Sequence, residues 1–158
     1  MAGRGGGGGL PGPRELWQQD LKTKQYRPVY VLAGEDTLRI EKVVATIRDD
    51  ALGSAAGFNF HTVHGDQAEM GRVLQTALAL PMLAGVQVIW VKRADALLGQ
   101  AAGQSAFEKY LTAPPKETIL ILSMDRLDKR RKWAKAALAA GYVFDFAPPQ
   151  GQDLVRWV

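Results

Sequence analysis

The sequence contains no cysteine. That excludes a disulfide-stapled scaffold, a zinc–thiolate site and a cysteine nucleophile, and it fits a reducing compartment. Histidine is scarce as well. His61 and His64 stand three apart in a stretch read as a strand, so they point to opposite faces and cannot share an ion. Two histidines at a surface strand end are the plainer reading. No apolar run is long enough to span a bilayer, and the N-terminus lacks the apolar stretch of a secretory signal. No membrane partner is expected.

What is present suits one soluble domain. The 158 residues are 47% hydrophobic and 23% charged, ordinary for a globular fold with a real core. The net charge of +4 is local, because residues 125–135 alone account for it. Arg126, Lys129, Arg130, Arg131, Lys132 and Lys135 there face only Asp125 and Asp128. Glycine is uneven too: seven of the 17 glycines fall in residues 1–12, which read as a disordered, low-complexity lead.

From Pro13 onward the pattern alternates. A short helix over 14–24 would turn Leu16, Trp17 and Leu21 inward. Pro28 to Leu32 reads as a buried strand entered by a proline. Gly34-Glu35-Asp36 then forms a turn, with Asp36 as an N-cap. Over 37–52, Ile40, Val43, Val44, Ile47 and Ala51 share one helix face. Phe58 to Val63 reads as a strand. Gln67 to Leu80 reads as a helix, with Met70, Val73, Leu74, Ala77 and Leu78 inward. Val86 to Val91 is a strand and 103–112 a helix ending before Pro114-Pro115. Thr118 to Leu122, the most apolar strand, belongs at the centre of the sheet. Residues 125–140 read as a helix closed by Gly141, and Tyr142 to Phe146 as the fifth strand. Such alternation predicts an α/β fold, a five-stranded parallel sheet flanked by helices.

An α/β fold with a glycine turn after its first strand raises the question of a phosphate site. A Walker A loop needs Gly-x4-Gly-Lys-Ser/Thr, so that backbone N–H groups, a lysine and a hydroxyl surround phosphate and Mg²⁺. Here the turn reads Ala33-Gly34-Glu35-Asp36-Thr37-Leu38-Arg39-Ile40. The second glycine, the lysine and the adjacent hydroxyl are missing, and two carboxylates stand where phosphates would approach. A dinucleotide loop fails likewise. Asp125 and Asp128 are better explained by helix capping and pairing with Lys129 or Lys132 than by a catalytic dyad. Ser54, Ser105 and Ser123 have no histidine near in sequence. No enzymatic constellation and no cofactor or metal site emerges.

Two features remain. Leu80-Pro81-Met82-Leu83 lies between a helix and the third strand, where Pro81 interrupts helical bonding. Met82 and Leu83 either staple a loop beneath the sheet or protrude as an apolar wedge for a partner's pocket. The basic run Asp125 to Lys135 is either a solvated helix face, with Leu127, Ala134 and Leu138 turned inward, or a contact for nucleic acid or an acidic partner.

Together these residues resemble the bacterial DNA polymerase III delta subunit, the arm of the clamp loader. The resemblance is carried by Val29-Tyr-Val-Leu-Ala-Gly-Glu-Asp-Thr-Leu-Arg-Ile-Glu41, by Leu78 to Val91, by Asp125-x-Leu-Asp-Lys-Arg-x-Lys, and by the closing Leu154-Val-Arg-Trp-Val. It runs from about Tyr26 to Val158. It implies a degenerate AAA+ (P-loop NTPase-like) domain with no functional Walker A and no catalysis of its own, within a holoenzyme that is a DNA polymerase, a nucleotidyltransferase. The implied task is to bind the sliding clamp (the beta subunit) and open the ring for loading onto primed DNA, in the cytoplasm, beside the other clamp-loader subunits. Carried over by position, the clamp-binding wedge is Met82 and Leu83 with Leu80 and Pro81. The family more often has Leu-Phe there. Lys129, Arg130, Arg131 and Lys132 are candidate contacts to DNA or a neighbouring subunit. The expected organisation is a disordered lead at 1–12, a clamp-binding domain at 13–147, and at 148–158 the start of a connection to a lid domain. The competing reading is a standalone nucleic-acid-binding α/β domain using 125–135.

Overall fold

A computed structural model describes residues 9–81 and 85–148. Met82, Leu83 and the closing Leu154–Val158 lie outside the described residues. The chain opens with α1 (Pro13–Leu16), continued by a π-helical turn over Trp17–Leu21. There follow β1 (Val29–Ala33), α2 (Thr37–Leu52), α3 (Ala56–Asn59) and β2 (Phe60–His64). Next come α4 (Met70–Leu78), β3 (Gln87–Lys92), α5 (Ala94–Leu97) and α6 (Ala101–Thr112). The described part ends with β4 (Thr118–Met124), α7 (Lys132–Ala139) and β5 (Val143–Asp145).

All strand pairs are parallel, in the order β2-β3-β4-β1-β5. Strand alternation divides the core into two layers. On one face Val29, Val31, Ile89, Val91, Leu120 and Leu122 pack under α4, α5, α6 and α7. On the other Tyr30, Leu32, Val88, Ile121 and Phe144 pack under α1 and α2. β4 holds the middle of the sheet with every residue buried, as its composition predicted.

A buried ion pair anchors the N-terminal segment. Asp20 accepts from Arg27 Nε at 2.9 Å and from the Tyr30 hydroxyl at 2.5 Å. Arg27 also donates to the Gly141 carbonyl and lies over the Phe144 ring. Burial, with the Asp20 bond second, raises the pKa of the Tyr30 hydroxyl, so it stays a proton donor. The order reaches back past the expected boundary at Pro13: Leu10 packs on the core, and the Pro11 carbonyl accepts from Asp145 N at 2.7 Å. That bond covers the open edge of β5.

Several expectations change. Trp17 is 52% exposed, because the π-helical turn rotates it off the face that Leu16 and Leu21 share. Residues 56–59 form a helical turn rather than the start of β2, leaving Phe58 exposed. The basic segment is not helical from 125. Asp128 Oδ1 accepts from Arg130 N at 3.1 Å, a side-chain turn that competes with helix formation, and α7 begins only at Lys132. Leu127 and Leu138 nevertheless pack on the core and Ala134 is buried, as expected. Gly141, at φ +81, closes α7 with the Tyr142 N–H on the Ala137 carbonyl and its own N–H on Leu138.

Candidate functional site

Parallel strands give the sheet two unlike edges. At the C-terminal edge the chain leaves β1 for α2 on one face and β4 for α7 on the other, the crevice where open α/β sheets hold ligands. A cavity of ≈ 200 Å³ lies there, lined among others by Gly34, Thr37, Trp90, Lys92 and Ser123. Its phosphate-binding groups are already committed. Gly34 N donates to the Met124 carbonyl at 2.8 Å, Asp36 N to Phe146 at 3.0 Å, and Thr37 N to Glu35 at 2.9 Å. The Asp36 carboxylate caps α2 through Arg39 N, as its place predicted, and puts a negative charge where an anion would sit. Gly34 has φ +151, and a Cβ there would lie 2.2 Å from the Phe146 carbonyl carbon, so the β5 strand end closes over the turn. Trp90 Nε1 donates to Ser123 Oγ at 3.0 Å, and Lys92 Nζ lies 4.4 Å above the Trp90 ring.

The N-terminal edge is built differently. α4 runs back along the sheet and ends there, and its last turn is held by buried polar groups. Gln87 Nε2 shares its two protons among the carbonyls of Thr76 and Ala79 and Thr118 Oγ1, each at 3.0 Å. Thr118 Oγ1 donates to the Ala77 carbonyl at 2.6 Å. The carbonyls of Ala77 and Ala79, and that of Thr76 beside its bond from Ala79 N, are therefore satisfied by the first residues of β3 and β4. Beyond this knot the surface is apolar. Leu78, expected inward, is 61% exposed and Leu80 is 84% exposed; Pro81 is half-buried. Leu78 fails to reach the core because α4 stops at it and the next residue is extended. Sequence reading missed Gln87 and Thr118. The available signal was a polar residue opening each of two otherwise apolar strands.

The basic residues gather on the loop after β4, at the C-terminal edge. Asp128 takes Arg130 Nε at 3.0 Å and Arg131 Nε at 3.4 Å, not Lys129 or Lys132 as expected. These bonds, the Arg130 side chain first, hold the Asp128 carboxyl below the usual carboxylate range. Lys129 and Lys132 make no ion pair among the described residues. The other sequence candidates are not brought together: His61 and His64 sit on the edge strand β2, and Ser123 bonds Trp90 rather than a histidine. Among the described residues no cluster of His, Asp or Glu is arranged to hold a metal, and no helix is long and apolar enough to cross a membrane.

The family model for the DNA polymerase III delta subunit matches residues 30–146. The chain belongs to the DNA polymerase III delta subunit family. Among solved structures this delta-family chain is similar to the Bacillus subtilis DNA clamp loader delta protein YqeN, with a TM-score of 0.79 and 21% identity over 92% of this chain and 45% of that one. It is similar also to a DNA polymerase III gamma subunit-related protein from Thermotoga maritima, with a TM-score of 0.59 and 14% identity over 87% of this chain and 47% of that one. No curated protein matches. The delta-family chain spans less than half the length of either structure, and its fold is the AAA+-like one of clamp-loader subunits.

Proposed function

We propose that this delta-family chain binds the sliding clamp and opens its ring for loading onto primed DNA, without hydrolysing ATP. The exposure of Leu78 and Leu80 on a helix end fixed by Gln87 and Thr118 carries this reading. Apolar side chains on a rigid platform lose little freedom when a partner's pocket takes them. The wedge continues through Pro81 to Met82 and Leu83, an unbranched and a branched side chain suited to filling such a pocket. A surface that binds the strained, open ring better than the closed one shifts the equilibrium toward opening, with no fuel of its own. ATP acts on the partner subunits, which agrees with the occupied N–H groups around Gly34.

The test is Met82→Ser combined with Leu83→Ser, titrated against clamp by calorimetry. Two buried apolar side chains contribute about 1.5–3 kcal/mol each, so the expected loss is on the order of a hundredfold. Undiminished affinity would remove these residues from the interface.

Lys129, Arg130, Arg131 and Lys132 are read as a contact to primed DNA or a neighbouring subunit in the assembled loader, in the cytoplasm. That Lys129 and Lys132 have no ion-pair partner among the described residues also supports a second reading, a nucleic-acid-binding domain acting alone. Steep salt dependence of DNA affinity with no clamp affinity is the result that selects it.

A further inference from the structure

The same edge of the sheet carries a groove of ≈ 390 Å³ on the α2 face, across the sheet from α4. Its walls are segments that lead into β1, β3 and β4: Tyr26 and Pro28, Val86, Pro114 and Lys116. Val86 lies three residues beyond Leu83 in sequence and directly before Gln87, whose side chain bonds the Ala79 carbonyl at the α4 end. The floor is apolar, formed by Val86, Ile119 and the prolines, while the rim is cationic. Lys24 and Lys116 are exposed, and neither makes an ion pair among the described residues. The one carboxylate among the groove's lining residues, Asp50, accepts from the Tyr26 hydroxyl at 3.0 Å and keeps its charge, and Arg27 is committed to Asp20.

Lys24 is also in an unusual conformation. It has φ +57 and closes the π-helical turn with its own N–H on the Leu21 carbonyl and the Gln25 N–H on Asp20. The same two-bond closure ends α7, and there the left-handed position is taken by Gly141. An L side chain is disfavoured in that region and glycine is not. The chain thus holds an ammonium group at the groove rim where glycine would close the turn with less strain.

We propose that this groove is a second contact for the ring protein gripped by the wedge. It receives an acidic segment of that partner, whose carboxylates pair with Lys24 and Lys116 while its apolar side chains rest on Val86 and Ile119. The proposal rests on the clamp-binding reading of the α4 end. Charge complementarity selects the occupant: two ammonium groups without ion pairs outnumber the single Asp50 carboxylate around an apolar floor.

The experiment compares Lys24→Gly, Lys116→Glu and the Met82→Ser, Leu83→Ser pair in the full-length protein, measuring clamp affinity across a salt series. Lys24→Gly keeps or raises the melting temperature, since glycine suits the turn, yet lowers affinity about threefold at low salt. Lys116→Glu lowers it about tenfold, and combining the two lysine changes flattens the salt dependence. The wedge pair loses affinity at every salt concentration and keeps the slope. Lysine variants that bind clamp like the parent, beside wedge variants that do not, overturn the groove and leave the wedge standing. Loss from the lysine variants with full affinity in the wedge variants supports the groove and removes the wedge. A parent protein with no clamp affinity overturns both.

Discussion

The two edges of the sheet solve opposite problems with the same fold. At the C-terminal edge, where related architectures meet phosphate, backbone donors are consumed by Met124, Phe146 and Glu35, and Asp36 supplies the anion. At the N-terminal edge, buried donors from Gln87 and Thr118 satisfy the end of α4, and apolar side chains are left in solvent. One edge is closed by its own chain, and the other carries the apolar surface that we propose meets the clamp. The lesson is that a polar group's absence of free valence and an apolar group's absence of cover are equally informative.

The largest expected effect comes from breaking the closed edge. Gly34→Ala places a Cβ 2.2 Å from the Phe146 carbonyl carbon in a backbone region that L residues avoid. Backbone cannot yield as a flexible side chain would, so β5 must move away from β1. We expect a loss of about 3 kcal/mol in urea unfolding, with no gain of ATP binding in a thermal-shift assay. ATP binding by this variant would show that displacing Phe146, which also frees Asp36 N, is enough to open the turn.

The open edge is tested by removing its support. Gln87→Leu removes the donor of the Ala79 carbonyl and of the buried Thr118 Oγ1, and leaves the Thr76 carbonyl with the Ala79 N–H alone. The expected cost is about 2 kcal/mol, together with faster hydrogen exchange in the last turn of α4. Weaker clamp binding should accompany it, because the wedge then pays to be ordered. Unchanged exchange in that turn means that packing of Val73, Leu74 and Ala77 holds the helix without the knot.

What could be read from the sequence follows the same division. The periodic spacing of Ile40, Val43, Val44 and Ile47 and the N-cap at Asp36 are local signals, and both are found in place. The uniform apolarity of Thr118–Met124 identified the central strand because a strand buried on both faces has no polar side to show. The missing Walker residues marked this turn as unlike a phosphate loop, but the bonds from Gly34 N to Met124 and from Asp36 N to Phe146 join residues far apart in sequence and left no local sign. The helix start at Lys132 was missed because Asp128 can cap a turn or a helix, and only Arg130 and Arg131 decide which. Leu78 was misplaced for a related reason: helical periodicity says which face a residue takes, but not that the helix stops there. The groove on the α2 face joins residues 24 and 116 and has no local signature at all.

The smallest effect sharpens the closed edge at its basic loop. Asp128 is only part-buried, yet bonds from the Arg130 side chain and then its backbone N–H lower its pKa below the usual carboxylate range. A folded pKa lower than the unfolded one means that the proton binds the unfolded chain more readily. The bonds therefore stabilise the loop above the unfolded carboxylate pKa, and this contribution fades as pH falls through the lower folded value. Carboxyl resonances followed by NMR should place the Asp128 midpoint below those of exposed aspartates, and Arg130→Gln should return it toward the ordinary range. Solvent and salt screen such a pair, so global stability should barely change. An unshifted Asp128 would mean that Lys129 to Lys132 are not braced by that carboxylate in solution, leaving all four cations equally free to meet a polyanion.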